Sequence, residues 1–306
     1  MPTSAWSVIL AAGQGRRLAS VTGGLPKQFW APKGGRTLLE HTVDRMAHVS
    51  PPARMVTVVN QSQRAHAELI AARTSLGRIA YQAGDRGTAA GVLRGLIEVA
   101  APPDALVVLT PSDHGVARSE VFLAGLRDAA REIRLGSTGI VLMAVEPESS
   151  SNDFGWIRPA HHDRPDRLRR VQAFVEKPSR EAAADLLASG GVWSTMVVVA
   201  RLQALYRLYA AHLPALNDVF RQARAVPADL REAFLADRYP QLPHTDFSRD
   251  LLGPAAGLFL YVWPREMGWT DLGTPDRLDA WLRGRSARPA LRGALPVFTP
   301  VESIAS

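Results

Sequence analysis

Two lysines frame the chemistry that this sequence can do. The chain carries 36 Lys and Arg residues, and only Lys27, Lys33 and Lys177 are lysine. Where either cation serves, the chain uses arginine. A retained lysine then marks a place that needs a compact ammonium on a flexible stem rather than a planar guanidinium. Lys33 falls in the turn-like Pro32-Lys33-Gly34-Gly35 and reads as incidental. Lys27 closes a loop of glycine and arginine, and Lys177 follows Glu176 after an apolar run. Both sit where a phosphate could be held.

The loop is Ala12-Gly13-Gln14-Gly15-Arg16-Arg17. Gly13 and Gly15 let the backbone approach a phosphate and aim N–H groups at its oxygens. Arg16, Arg17 and Lys27 add positive charge. A dinucleotide-binding loop is the rival reading, because Gly13-x-Gly15 follows a strand. That fingerprint wants a third small residue and an acidic residue about 20 positions on. Leu18 stands in the third place, and the next carboxylate is Glu40, inside a predicted helix. No Gly-Lys-Ser/Thr occurs, so a Walker A loop is absent.

A sheet must carry these groups. Apolar runs predict strands over Ser7–Ala12, Met55–Val59, Arg78–Tyr81, Ala105–Leu109 and Gly139–Val145. Between them lie predicted helices over Thr37–Val49, with Thr37 as N-cap, Gln61–Leu76, Thr88–Ala100 and Ser119–Arg134. Strands alternating with helices predict an α/β fold, a mostly parallel Rossmann-like sheet flanked by helices. The second half is less regular. It predicts strands over Arg169–Val175, Val192–Ala200 and Leu258–Trp263, and helices over Arg180–Ala188, Leu202–Arg224 and Pro275–Arg283. One domain is expected over residues 1–285. Residues 1–145 form its nucleotide-binding half, 146–285 an added substrate lobe, and 286–306 a C-terminal extension. In open parallel sheets, ligands bind beyond the carboxyl ends of strands. The loop after Ala12, Asp113-His114 and Glu176-Lys177 all lie at such ends.

Composition narrows the class. Of 306 residues, 46% are hydrophobic and 21% charged, which suits a chain that buries a core. There is no cysteine, which excludes disulfides, thiolate metal sites and a cysteine nucleophile. No apolar run approaches a membrane span and no basic leader precedes the first strand, so a cytoplasmic protein is expected. The net charge of +7 favours anionic partners. The charge is dispersed and not interleaved with aromatics, so a small phosphate ligand fits better than nucleic acid. The His161-His162-Asp163 run lies in a polar stretch with prolines and reads as a solvated loop.

Taken in order, these motifs resemble the sugar-1-phosphate nucleotidyltransferases, and most of all the mannose-1-phosphate guanylyltransferases. The resemblance rests on Gly13-Gln14-Gly15-Arg16-Arg17-Leu18, Pro26-Lys27-Gln28-Phe29, Gly35-Arg36-Thr37-Leu38-Leu39 and Arg45. It continues through Gly87-Thr88-Ala89-Ala90, Pro111-Ser112-Asp113-His114 and Phe154-Gly155-Trp156-Ile157. It ends with Phe174-Val175-Glu176-Lys177-Pro178 and Trp269-Thr270-Asp271-Leu272-Gly273, so it covers nearly the whole chain. Cytidylyltransferases of isoprenoid synthesis share the first two motifs. They are shorter and lack the later ones, and Asp128-Ala129-Ala130-Arg131 here lies inside a predicted helix.

The resemblance implies transfer of a nucleotidyl group from an NTP, GTP first, to a sugar 1-phosphate, mannose 1-phosphate first, with release of pyrophosphate. It implies Arg17 and Lys27 on the triphosphate and Lys177 on the sugar phosphate. Ala12, Gly13, Gly15, Gln82, Gly87 and Thr88 would bind the nucleotide. Gly155, Glu176, Trp193 and Ser194 would bind the sugar. Asp113 and Asp271 would share a Mg²⁺. The partners implied are small molecules, with no nucleic acid and no membrane, and a homodimer is left open. The sequence departs from the family at Trp193-Ser194-Thr195-Met196, where Trp-Asn-Ser-Gly is usual, and at Gly273-Thr274-Pro275, where Gly-Ser-Trp is usual. Another base or sugar, or a catalytically silent sugar-nucleotide-binding subunit, are the alternatives.

Overall fold

A computed structural model describes residues 5–32, 35–136, 139–160, 168–227 and 229–286. Lys33, the His161-His162-Asp163 run and the extension after 286 lie outside the described residues.

The strands are β1 (Trp6–Leu10), β2 (Met55–Asn60), β3 (Arg78–Gln82), β4 (Leu106–Pro111), β5 (Gly115–Val116), β6 (Ile140–Val145), β7 (Gly155–Pro159), β8 (Arg169–Glu176), β9 (Val192–Arg201), β10 (Phe259–Trp263) and β11 (Trp269–Thr270). Nine of them form one sheet in the order β3-β2-β1-β4-β9-β6-β10-β8-β7, and β5 and β11 form a small second sheet. Strands β2, β4 and β6 are buried at every residue, as apolar runs covered on both faces must be.

The parallel expectation holds only for part of the sheet. Strands β3, β2, β1 and β4 pair in parallel, as do β6 and β10. Strand β9 enters antiparallel between β4 and β6, and a β7–β9 pairing closes the run β9-β6-β10-β8-β7 on itself. Strand β10 also comes from the second half of the chain, yet it runs parallel to β6, so β9 alone reverses direction between two strands of the first half. Two cores follow, one on each face. One gathers Val8, Leu93, Tyr209, Phe220 and Phe247, and the other Ile9, Phe29, Phe122, Trp156, Trp193 and Trp263.

The helices show the sequence logic locally. Thr37 caps the helix Leu38–Ala47 in a reciprocal capping box with Glu40. Helix Ser119–Arg134 buries Phe122, Leu126, Ala129, Ala130 and Ile133 along one stripe. The helix expected over Leu202–Arg224 is instead two, Leu202–His212 and Pro214–Ala225. Pro214 has no N–H to continue a helix and starts the second one. Strand β7, helix Arg231–Arg238 and a wide helical turn over Phe247–Leu252 were not legible in the sequence.

Candidate active site

The glycine loop follows β1 and is shaped by two glutamines. Gln28 Nε2 donates to the carbonyls of Ala11 at 2.8 Å and Gly13 at 2.9 Å. Gln63 Nε2 also donates to the Gly13 carbonyl, at 3.0 Å. In a trans peptide the N–H points opposite to its C=O. Holding these carbonyls inward therefore turns the N–H groups of Ala12 and Gln14 the other way. Gln28 belongs to the Pro-Lys-Gln-Phe motif, whereas nothing in the sequence marked Gln63.

Gly15 has φ = +65°. A Cβ there would lie 2.7 Å from the backbone nitrogen of Lys27. The Pro26–Phe29 segment thus packs directly on the loop, which places Lys27 at the rim.

The Lys27 ammonium lies 3.0 Å from Oδ2 of Asp113, which follows β4. It also donates to the main-chain oxygens of Asp271 at 2.9 Å and Leu272 at 3.3 Å, just past β11. The structure therefore brings Lys27, Asp113 and Asp271 together. Arg17 joins them from the loop. Its guanidinium lies 3.4 Å from where a Cβ on Gly273 would sit, a position that also abuts the Asp271 carboxylate. Burial pushes the Asp113 carboxyl up, but Lys27 and His114 outweigh it and hold the group below the usual carboxylate range. His114 is pushed down to about 4, chiefly by burial. Its Nδ1 accepts from the Trp269 indole at 3.2 Å.

Glu176 ends β8 opposite Gly155 of β7. A Cβ on Gly155 would lie 2.7 Å from Oε2 of Glu176 and 2.9 Å from the Phe174 ring, so a larger residue would make that carboxylate shift. Burial and the nearby Asp246 raise the Glu176 carboxyl, and the Lys177 ammonium, 3.7 Å from Oε1, partly offsets this. Lys177 is largely exposed, has φ = +45°, and bonds through its backbone N–H to the Phe154 carbonyl at 3.2 Å.

Other expected site residues sit elsewhere. Trp193 faces away from Glu176. Side chains alternate across strands, and Trp193 packs on Phe154 and Trp156, on the face opposite Gly155 and Phe174. Ser194 lies in the β-bulge between β6 and β9, where its hydroxyl accepts from the Met196 N–H at 3.3 Å. Met196 has φ = +58°. Gln82 is buried and donates to the Tyr239 hydroxyl at 2.5 Å rather than facing an open surface. Gly87 opens the helix Gly87–Leu96. The Thr88 hydroxyl is engaged with the 246–247 turn, accepting from the Phe247 N–H at 2.7 Å and donating to Asp246 at 3.2 Å.

A cleft of about 1350 Å³ runs behind the rim, bordered by His114, Phe154, Trp193, Trp269 and Arg277. Neither Lys27, Glu176, Lys177 nor the glycine loop lines it. Lys27, Asp113 and Asp271 are only partly exposed, and none of the three lines the cleft.

The profile of the nucleotidyl transferase family matches residues 6–282. The chain belongs to this family. Mannose-1-phosphate guanylyltransferase of Escherichia coli K12 is 27% identical over 285 residues, 88% of this chain and 58% of that protein. Alginate biosynthesis protein AlgA of Pseudomonas aeruginosa is 31% identical over 191 residues, 61% of this chain and 39% of that protein. The chain thus spans about half the length of the curated relatives it matches. A solved structure described as mannose-1-phosphate geranyltransferase from Thermus thermophilus superposes with a TM-score of 0.78 at 26% identity, over 92% of this chain and 79% of that one. The fold is that of a nucleotidyl transferase.

The donor set fits a divalent ion used by such chemistry. Among the described residues no three His, Cys, Asp or Glu side chains converge as a metal site. Asp113 offers a carboxylate paired with the Lys27 ammonium, and Asp271 a carboxylate held by Arg277 beside a main-chain oxygen that meets the same ammonium. Mg²⁺ is typically held by one or two carboxylates plus substrate phosphates rather than by a protein cage. Among the described residues no helix is long and apolar enough to cross a membrane.

Proposed function

We propose that this chain transfers a nucleotidyl group from GTP to mannose 1-phosphate, giving GDP-mannose and pyrophosphate. The observation that carries the reading is the Lys27 ammonium set between Asp113 and the Asp271 loop at the rim of the sheet. The family supports the reaction class, and the guanylyltransferase relatives support the base and the sugar.

The chemistry needs no general base, since a phosphate oxygen is a competent nucleophile near neutral pH. The demand is to bring two polyanions together, in line, and to neutralise the charge that develops. The N–H groups of the Gly13–Gly15 loop and the Arg17 guanidinium hold the triphosphate. Lys27, held by Asp113 and the main chain of Asp271 and Leu272, presents a compact, fixed point charge to the phosphates. Lys177, exposed beside Glu176, holds the incoming sugar phosphate, and Glu176 accepts from sugar hydroxyls. Asp113 and Asp271 would hold Mg²⁺, which when bound supplies charge neutralisation at the α-phosphate.

A second reading keeps the reaction and changes the sugar. Ser194 and Met196 stand where the resembled family has Asn and Gly, and Met196 retains a left-handed backbone despite its side chain. Pyrophosphate release from protein, Mg²⁺, each NTP and a panel of sugar 1-phosphates tests both. Turnover with GTP and mannose 1-phosphate supports the first. Turnover only with another pair supports the second. No release with any pair overturns the enzymatic reading.

A further inference from the structure

We propose that Arg277 is a positioning residue, which aims the Asp271 carboxylate at the reaction centre and ties it to the loop that carries the sugar-side residues. The proposal rests on the reading above, in which Asp271 holds the metal.

The geometry is specific. Arg277 Nη1 lies 3.2 Å from Oδ1 and 3.3 Å from Oδ2 of Asp271. Its Nη2 donates to Oδ2 of Asp153 at 2.8 Å. The guanidinium also lies over the Phe154 ring, 4.5 Å from its centroid. One planar fork therefore meets two carboxylates and an aromatic face, which a lysine ammonium cannot do at once.

Both ends of this link are anchored. Arg277 sits in the first turn of the helix Pro275–Ser286. Its N–H reaches the Thr274 hydroxyl at 3.4 Å, and the Leu278 N–H bonds the Thr274 carbonyl at 3.0 Å. Pro275 pre-sets the helix start. The Gly273-Thr274-Pro275 departure from the resembled family thus builds the turn that brings Arg277 back onto Asp271. Lys27 grips the Asp271 main chain and Arg277 its carboxylate, so backbone and side chain are fixed independently. On the far side, Phe154 accepts the Lys177 N–H and precedes Gly155, the partner of Glu176. A shift of the sugar-side loop would then be felt at Asp271 through a single side chain.

Two effects of Arg277 on a bound cation oppose each other. Its charge repels the cation, and its hydrogen bonds orient the ligand. Asp153 and Asp271 already offset that charge, so orientation dominates. Partners of metal ligands cost about 10- to 100-fold in affinity or activity when removed.

The test uses the full chain and Mn²⁺ as probe, with free Mn²⁺ read by electron paramagnetic resonance, alongside steady-state kinetics. Arg277→Met is expected to weaken Mn²⁺ binding by about 10- to 100-fold and to lower kcat while the nucleotide KM holds. Arg277→Lys keeps the charge but not the fork and is expected to show part of that loss. Asp153→Asn is expected to show a smaller loss in the same direction. Unchanged or tighter Mn²⁺ binding in Arg277→Met overturns the proposal. If that variant fails to fold, Arg277→Lys decides by the same criterion. Asp271→Asn separates the two ideas. If it leaves Mn²⁺ binding intact, the metal reading fails and takes this proposal with it. If it abolishes binding while the Arg277 variants bind normally, only the positioning role falls.

Discussion

The ammonium of Lys27 donates to the main-chain oxygen of Asp271 at 2.9 Å, joining residues 244 positions apart. Asp113 Oδ2 and the Leu272 carbonyl complete the set. Three acceptors meet the three donors of one ammonium. The first loop, the end of β4 and the segment after β11 therefore converge on a single point charge. This explains why an arginine-rich chain keeps a lysine here. A guanidinium is planar, and these three oxygens approach from two different segments.

Replacing that lysine by arginine is the first prediction. Lys27→Arg retains the charge but displaces it, because the fork cannot occupy so compact a position. Turnover is expected to fall about 100-fold, the size of effect that a misplaced group of about 1 Å produces. Lys177→Arg is expected to fall less, since Lys177 is largely exposed and its tip is free to relocate. Pyrophosphate release by each variant is the measurement. Near-native rates in Lys27→Arg would show that charge alone suffices.

Gly15→Ala tests the packing beneath Lys27. The new Cβ would lie 2.7 Å from the Lys27 nitrogen, and φ = +65° is unfavourable for alanine. A loss of about 1–3 kcal/mol in unfolding free energy is expected. It should come with a fall in activity larger than the stability loss implies, because the Pro26–Phe29 segment must move. Urea unfolding and turnover at a temperature where the variant stays folded separate the two effects. Gly13→Ala, with no atom within 4 Å of its Cβ, is the control for stability.

How much of this was visible beforehand depends on the range of the interaction. Strands β2, β4 and β6 announced themselves as apolar runs, and helix Ser119–Arg134 as a stripe, because those patterns are local. Thr37 was readable as a cap for the same reason. The motif residues Lys27, Asp113 and Asp271 were legible as types, and their convergence required the fold. Trp193 was expected with Glu176, but strand alternation turns it to the other face. Gln82 lay in a strand whose end was expected to meet the nucleotide, yet its amide is spent on Tyr239, from a segment 157 residues away. Gln63 and Arg277 carried no local signal, since each acts on a residue brought near only by tertiary packing. The antiparallel entry of β9 likewise lies in its pairing with β4 and β6 rather than in its own residues.

Gly155→Ala probes the sugar side without touching the triphosphate loop. The added carbon would press on both the Glu176 carboxylate and the Phe174 ring. Phe174 is held in the core, so the carboxylate is the part that moves. The KM for sugar 1-phosphate is expected to rise roughly tenfold, about the value of one hydrogen bond to a charged group. The KM for nucleotide should stay within about twofold, since the Glu176 carboxylate makes no contact with the Gly13–Gly15 loop in the reaction proposed here. Equal rises in both KM values would place Glu176 in general binding instead.

The last prediction concerns pH. Burial holds the His114 imidazole at about 4 against an ordinary 6.5. Its Nδ1 accepts from the Trp269 indole, so protonation there would break that bond as well as charge a half-buried ring. A group with a depressed pKa of this kind stays neutral in the folded chain while the unfolded chain takes up a proton. Between pH 6.5 and 4 the unfolded state therefore binds more protons, and stability falls as the pH drops through this window. Well above pH 6.5 the imidazole is neutral in both states and contributes no slope. Urea unfolding at about pH 7.5, 6.5, 5.5 and 4.5 should show this decline, and His114→Gln, which keeps an acceptor for Trp269 but cannot titrate, should flatten it. Because carboxylates also titrate near the lower end, the difference between the two proteins is the quantity to read. Equal slopes would mean that the folded chain admits the proton at His114, and that the Trp269 bond does not hold the imidazole neutral.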